Sequence, residues 1–331
     1  MNFLKNNYLT LLLLIFAFCI YGCSKKDWSG SVTQITLPQT NNGRIYDILI
    51  NQQSKIFLVG GDRYERNDFF QSNDDGYSWT ICHFDAEENS NKAIFCITEF
   101  NNTLFASGYD GKIFTNETLQ PNGWHLRSSE FWWYSFTGST FTENGNAYFA
   151  GNWGYPRGLI VRTNEHLSNK KIDSFPYAIN DISFVDNQTG YAVGYGALLQ
   201  TLDGGDTWQQ LNLTDDNYRS ICVLDKNNIW TVGFNGSIVH ITENGRKFNK
   251  IKNSQNPLGN ADRYLSITFN GLSGYITGEK GLVLQTSNSG KSWQKMKPFT
   301  NNDLYKAAFH PVEKTVFFVG DKNTIFKYYP L

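Results

Sequence analysis

The residues of this chain with the clearest chemical potential are acids and tryptophans at fixed spacing. The pattern S/T-x-D-x-G-x-x-W occurs in full as Ser72-Asp74-Gly76-Trp79 and Thr201-Asp203-Gly205-Trp208. It recurs with Asn for Asp as Thr286-Asn288-Gly290-Trp293. A short Asp or Asn side chain can accept bonds from the backbone N–H groups of a tight turn. Gly supplies the positive φ such a turn needs. The Trp is expected to be buried, covering the space between neighbouring units. These acids recur at equivalent turns, far from a common centre, so the reading is structural: no catalytic residue is assigned. Calcium at Asp74-Asp75 or Asp203-Asp206 lacks the ligand count of an EF-hand loop. His83, His125, His166, His240 and His310 share no spacing, no Cys/His cluster has zinc spacing, and no phosphate loop or dinucleotide fingerprint is present. Neither a metal nor a cofactor is expected.

A second set is rich in Arg and aromatic residues: Arg44, Arg63, Arg66, Trp132, Trp133, Trp153, Tyr155, Arg157, Tyr177, Arg219 and Arg263. Such residues are enriched at interaction hot spots. Whether they share a surface depends on the elements that carry them.

Those elements repeat. A glycine closing an apolar run recurs as Gly60, Gly108, Gly151, Gly194, Gly233, Gly278 and Gly320, spaced 39 to 48 residues apart. That is the length of a four-stranded propeller blade. The unit is clearest at 179–211 and recurs at 264–296. The last unit, 304–329, lacks a fourth strand, and residues 32–37 (VTQITL) form an orphan strand at the other end. The expectation is an all-β fold: a seven-bladed propeller of four-stranded antiparallel blades, closed by the N-terminal strand. Closure removes exposed sheet edges. Aromatic residues at 16%, charged residues at 18% and mean hydropathy of -0.42 fit many short strands and exclude disorder or a multi-span membrane protein. A net charge of -1 gives no nucleic-acid footprint.

The motif resembles the Asp-box, or bacterial neuraminidase repeat. The longer unit, carried by Asp181, Phe184, Gly190, Gly194, Asp203, Gly205 and Trp208, resembles the photosystem II stability/assembly factor type of seven-bladed propeller. That resemblance implies the fold and a role in holding or assembling other proteins. Sialidases also carry Asp-boxes, but they begin with Phe/Tyr-Arg-Ile-Pro, and here Gly43-Arg44-Ile45-Tyr46 lacks the Pro.

Residues 1–22 read as a lipoprotein signal peptide, with Lys5 and an apolar run from Leu9 to Tyr21, too short to span a bilayer. Ile20-Tyr21-Gly22-Cys23 resembles a lipobox, although Tyr21 departs from the small residue usual there. Cys23 is the expected lipid-bearing residue, 23–27 a tether, and 28–331 a single propeller domain. Ser24 points to the outer membrane, and the envelope is the expected location. Cys82, Cys96 and Cys222 sit in apolar strands and read as small buried hydrophobes.

Propeller geometry places the loops between strands two and three on the same face as the links between blades. Most of the Arg/aromatic set falls there, with Tyr64, Tyr109, Tyr195 and Phe234. Asp62, Glu65, Asp68, Asp110, Glu279 and Asp321 share that face. Arg44, Arg219 and Arg263 lie near the starts of three innermost strands. Convergence of the three would select an acidic protein segment or an acidic glycan. The alternative pairs them with Asp47, Asp181, Asp262 or Asp303 across blades. The function expected is a lipid-anchored envelope module that binds a protein or peptide through this face. The alternative is a glycan-binding or glycoside-hydrolase-like lipoprotein, since Trp and Tyr also stack on sugars and paired carboxylates would cleave them.

Overall fold

The computed structural model describes residues 30–38, 43–62, 64–82, 92–154, 156–253 and 262–331. They form seven sheets of four antiparallel strands, the expected seven-bladed propeller. The innermost strands, in order of blades one to seven, are Arg44–Ile50, Ile94–Phe100, Ser135–Phe141, Ile179–Phe184, Tyr218–Asp225, Tyr264–Asn270 and Leu304–Phe309. Each contacts the innermost strands of its neighbours, which makes a ring around a central channel.

Second strands such as Gly190–Gly194 and Val316–Gly320 are buried at every residue, because both sheet faces are covered by adjacent blades. The apolar core is therefore divided into seven clusters, one per blade interface. Phe57, Val59 and Phe69 of blade one meet Ile97, Phe114 and Trp124 of blade two. Phe317, Val319 and Ile325 of blade seven meet Ile45, Ile48 and Phe70 of blade one.

The repeated glycine has a steric cause. A Cβ on Gly60, Gly194 or Gly320 would lie 1.9, 1.8 or 1.9 Å from the carbonyl oxygen of Arg44, Ala178 or Asp303. At the same level every innermost strand carries a β-bulge, with register breaks at Ile45/Asp47, Ile94/Cys96, Phe136/Gly138, Ile179/Asp181, Tyr218/Ser220, Tyr264/Ser266 and Leu304/Lys306. The bulge pushes backbone toward strand two, and only a glycine leaves room for it.

The ring closes as expected. Ser31–Ile35 pairs antiparallel with Thr324–Tyr329, from Ser31↔Tyr329 to Ile35↔Ile325. A polar pin reinforces the seam: buried His310 of blade seven bonds Asp75 of blade one through Nε2 at 3.0 Å, while its Nδ1 accepts from the N–H of Glu313 at 2.8 Å.

The Asp-box turns are built alike. Thr207 N donates to Asp203 Oδ1 at 2.8 Å, Thr207 Oγ1 to Oδ2 at 2.6 Å, and Gly205 N to Thr201 Oγ1 at 2.8 Å. Asp74 and Asn288 repeat the scheme with Ser78 and Ser292. Gly76, Gly205 and Gly290 take φ of 85°, 81° and 76°. Trp79, Trp208 and Trp293 are half-buried rather than buried, because they close the rim of a blade interface and not its centre. In blades two and three, where the motif is degenerate, Asn116 and Asn164 accept from turn N–H groups instead.

Cys82, Cys96 and Cys222 are free thiols; the first two are buried, Cys222 half-buried. Burial pushes the Cys82 and Cys96 thiols up to about 12 and Cys222 to about 11. Among the described residues, no helix is long and apolar enough to cross a membrane.

Candidate functional site

The strand directions give the ring two unlike faces. The upper face holds the starts of the innermost strands and the loops between strands two and three. The Asp-box turns lie on the lower face. The upper end of the channel opens into a cavity of about 660 Å³, to which every blade contributes.

The bulges shape this cavity in two tiers. The extra residue of each bulge forms the upper tier: Tyr46, Phe95, Thr137, Asn180, Arg219, Leu265 and Tyr305, all lining the cavity. The next residue of each strand forms the floor, where Asp47, Asp181, Ser220, Ser266 and Lys306 line it.

The upper tier is aromatic on one side. Tyr305, Tyr46 and Phe95 stand side by side, with ring centroids 5.0 and 4.8 Å apart. The arc continues through Tyr109 and Tyr64, at 5.2 and 5.0 Å. Above blade three, Trp133 and Trp153 stack at 6.4 Å, and the Arg157 guanidinium lies 4.4 Å from the Trp153 ring centre. Blades four to six oppose this wall with Asn180, Arg219 and Leu265.

The floor is polar and stitches blades together. Asp47 accepts from Ile48 N at 2.9 Å and from Ile97 N of blade two at 3.0 Å. Asp181 accepts from Ile182 N, from Ile221 N of blade five at 2.9 Å and from Ser220 Oγ at 3.0 Å. Lys306 Nζ lies 3.7 Å from Asp47 Oδ1. Burial raises both carboxyls above the ordinary range, and the Asp47 charge beside Lys306 holds its ammonium more firmly protonated.

The Arg/aromatic set divides. Arg44, Trp133, Trp153 and Arg219 line the cavity, and Arg157 backs Trp153. Trp132 is exposed on the same face but outside the cavity wall. Tyr177 bonds Gln210 and stacks on Phe175, away from the cavity. Arg66 is held by Asp68 at 2.9 Å. Arg63, Tyr155 and Cys23 lie outside the described residues.

The three arginines do not converge. Arg44 Nε pairs with Asp321 at 3.0 Å, joining blades one and seven, and the same oxygen accepts from Tyr305. Arg263 pairs with Glu279 at 3.2 Å and lies over Phe234, off the cavity wall. Arg219 sits two residues further along its strand than the other two, on the bulge itself. The partners of Arg44 and Arg263 are Asp321 and Glu279 rather than the acids considered from the sequence, because the loop after strand two folds back beside the start of strand one.

Tyr46, Phe95, Tyr305 and Lys306 were not among the residues singled out from the sequence. Tyr46, Phe95 and Tyr305 lie 14, 13 and 15 residues before Gly60, Gly108 and Gly320, because the hairpins between first and second strands differ in length, so aligning the units on their glycines does not bring them into one column.

The family described as photosynthesis system II assembly factor YCF48 matches residues 167–262 and 221–304, which span blades four to six and the end of blade three. The photosystem II assembly lipoprotein Ycf48 of Synechococcus sp. (strain CC9902) is 29% identical over 119 residues, 34% of this chain and 35% of that protein. The match thus spans about a third of that relative. Three solved structures share the fold across the ring. A YCF48 bound to D1 peptide has a TM-score of 0.70 at 16% identity, covering 91% of this chain and 95% of that one. YCF48 from Cyanidioschyzon merolae gives 0.67 at 15%, covering 90% and 98%. The WD40 propeller domain of Doa1 gives 0.68 at 11%, covering 91% and 97%. The chain is a seven-bladed propeller similar to the photosystem II assembly-factor type.

Proposed function

We propose that this chain is a lipid-anchored cell-envelope propeller that binds a protein or peptide through its upper face. The observation that carries this reading is the distribution of exposed aromatic side chains. Of the seven exposed aromatic side chains among the described residues, five lie on the upper face, Tyr64, Trp132, Trp133, Trp153 and Tyr195, and two, Tyr77 and Tyr329, on the lower. Trp133 even holds a left-handed backbone, φ 74°, which costs a bulky residue about 1–3 kcal/mol and is kept where surrounding structure enforces it. Aromatic side chains with few rotatable bonds are efficient anchors for a partner. One propeller of similar fold is a YCF48 bound to a D1 peptide, so peptide binding is within reach of this architecture.

The cavity carboxylates do not favour glycoside hydrolysis. All four oxygens of Asp47 and Asp181 already accept from backbone or hydroxyl groups. Each carboxyl is thereby clamped to the backbone of two blades, whereas a general acid or nucleophile must adjust toward the scissile bond.

The anchor reading rests on Cys23 and its lipobox. The first strand runs from Ser31 on the lower face toward the upper face, so an anchor at Cys23 would turn the cavity away from the bilayer. The tether to Ser31 reaches at most about 3.6 Å per residue. Ser24 favours the outer membrane.

The test is a pull-down from membranes with the combined variant Trp133→Ala, Trp153→Ala and Arg219→Ala. Partner recovery should fall by an order of magnitude or more, since the two Trp anchors alone are worth about 1–2 kcal/mol each, at a nearly unchanged melting temperature. Full recovery would refute the site.

A further inference from the structure

We infer that the floor of the upper cavity is a subsite for a basic side chain, the ammonium or guanidinium of a lysine or arginine in the bound partner. This rests on the reading that the upper face takes a peptide or protein. It assigns the floor the opposite charge preference to the one that the arginines alone suggest.

Three lining charges are already balanced: Arg44 by Asp321, Lys92 by Asp110 and Lys306 by Asp47. Arg219 belongs to the upper tier and has interactions of its own. At floor level two carboxylates face one ammonium, which leaves a negative balance at the bottom of an open cavity. Gly138 makes room for it: a Cβ there would come within 2.9 Å of Asp181 Oδ1.

The acceptors are not exhausted. A carboxylate offers about four lone-pair sites. Asp47 is engaged by Ile48 N, Ile97 N and Lys306, and Asp181 by Ile182 N, Ile221 N and Ser220. About one acceptor position remains on each.

The independent sign of a missing ligand is Ser266. It is 3% exposed, lines the cavity, and its Oγ has no hydrogen-bond partner. A buried hydroxyl left unsatisfied is unfavourable, and an incoming hydrogen-bonding group would recover that cost. A cation reaching it passes Tyr305, Tyr46 and Phe95, whose ring faces attract positive charge. An acidic side chain taking the same path would meet Asp47 and Asp181.

A random peptide library selected against the purified protein tests this, followed by calorimetric titration of the best peptide. Enriched sequences should share a Lys or Arg, and replacing it with Gln should weaken binding about tenfold, as expected for a charge-assisted bond. Asp181→Asn should abolish that difference. Should that variant fail to fold, Ser266→Ala decides, since its hydroxyl makes no bond in the free protein: it should weaken the Lys peptide and leave the Gln peptide unchanged. Enrichment of acidic residues, or equal binding of Lys and Gln peptides, would overturn the subsite and leave peptide binding intact. Enrichment of no peptide would overturn both.

Discussion

Asp203 shows how far single residues govern this molecule. Asp203 is half-buried, and Thr207 holds its carboxylate with two bonds and, with Thr201, depresses its pKa to about 2. An ordinary Asp titrates near 3.9. Because the folded value is the lower one, its contribution is complete above about pH 4 and fades as pH falls toward about 2. Asp203→Ala should destabilise by about 1–2 kcal/mol at neutral pH through lost turn bonds. Asp203→Asn should cost little there, because Asn288 already serves the same turn in blade six. It should also remove part of the stability loss expected between about pH 4 and 2. Chemical denaturation at both pH values checks this; an Asn variant as weak as the Ala variant would refute the acceptor role. Trp208→Ala should cost about 2–3 kcal/mol, less than a fully buried Trp, since Trp208 is half-buried. The Asp-box turns were legible in the sequence because their bonds are local. The partners of Arg44 and Asp47 were not, because they lie on neighbouring blades.

At the scale of the element, the seven glycines set the period, and their cause became visible only with the bulges opposite them. Gly194→Ala would place a Cβ 1.8 Å from Ala178 O, a backbone clash that no rotamer relieves. The expected loss is roughly 3 kcal/mol, against a few tenths for most surface changes. A melting temperature unchanged by Gly194→Ala would mean that the strand shifts freely and that the bulge is not enforced. The bulge is also what creates the site, since it turns one residue per blade into the cavity. Period-two alternation hides such a residue, which is why Tyr46, Phe95 and Tyr305 read from sequence as ordinary strand positions. Trp133 and Trp153, singled out from loop composition, line the cavity.

For the whole molecule, closure is the decisive feature. Deleting residues 24–37 removes Ser31–Ile35 from blade seven and bares the edge of Thr324–Tyr329. The loss should be several kcal/mol, a large share of a typical 5–15 kcal/mol stability, with a tendency to associate through the open edge. An unchanged melting temperature would contradict closure by this strand. Cys23→Ala should leave an uncut precursor that takes up no fatty-acid label; persistent labelling would refute the lipoprotein reading. The fold was legible because a repeat multiplies a weak signal sevenfold, whereas a binding surface is spelled once, by residues drawn from every blade. The two faces can be told apart by crosslinking. A photo-crosslinking amino acid placed at Trp133 on the upper face and, separately, at Tyr77 on the lower face, both exposed, would be activated in intact membranes. A discrete protein adduct is expected from position 133 and none of that mass from position 77. The same adduct from position 77, with none from position 133, would contradict binding through the upper face.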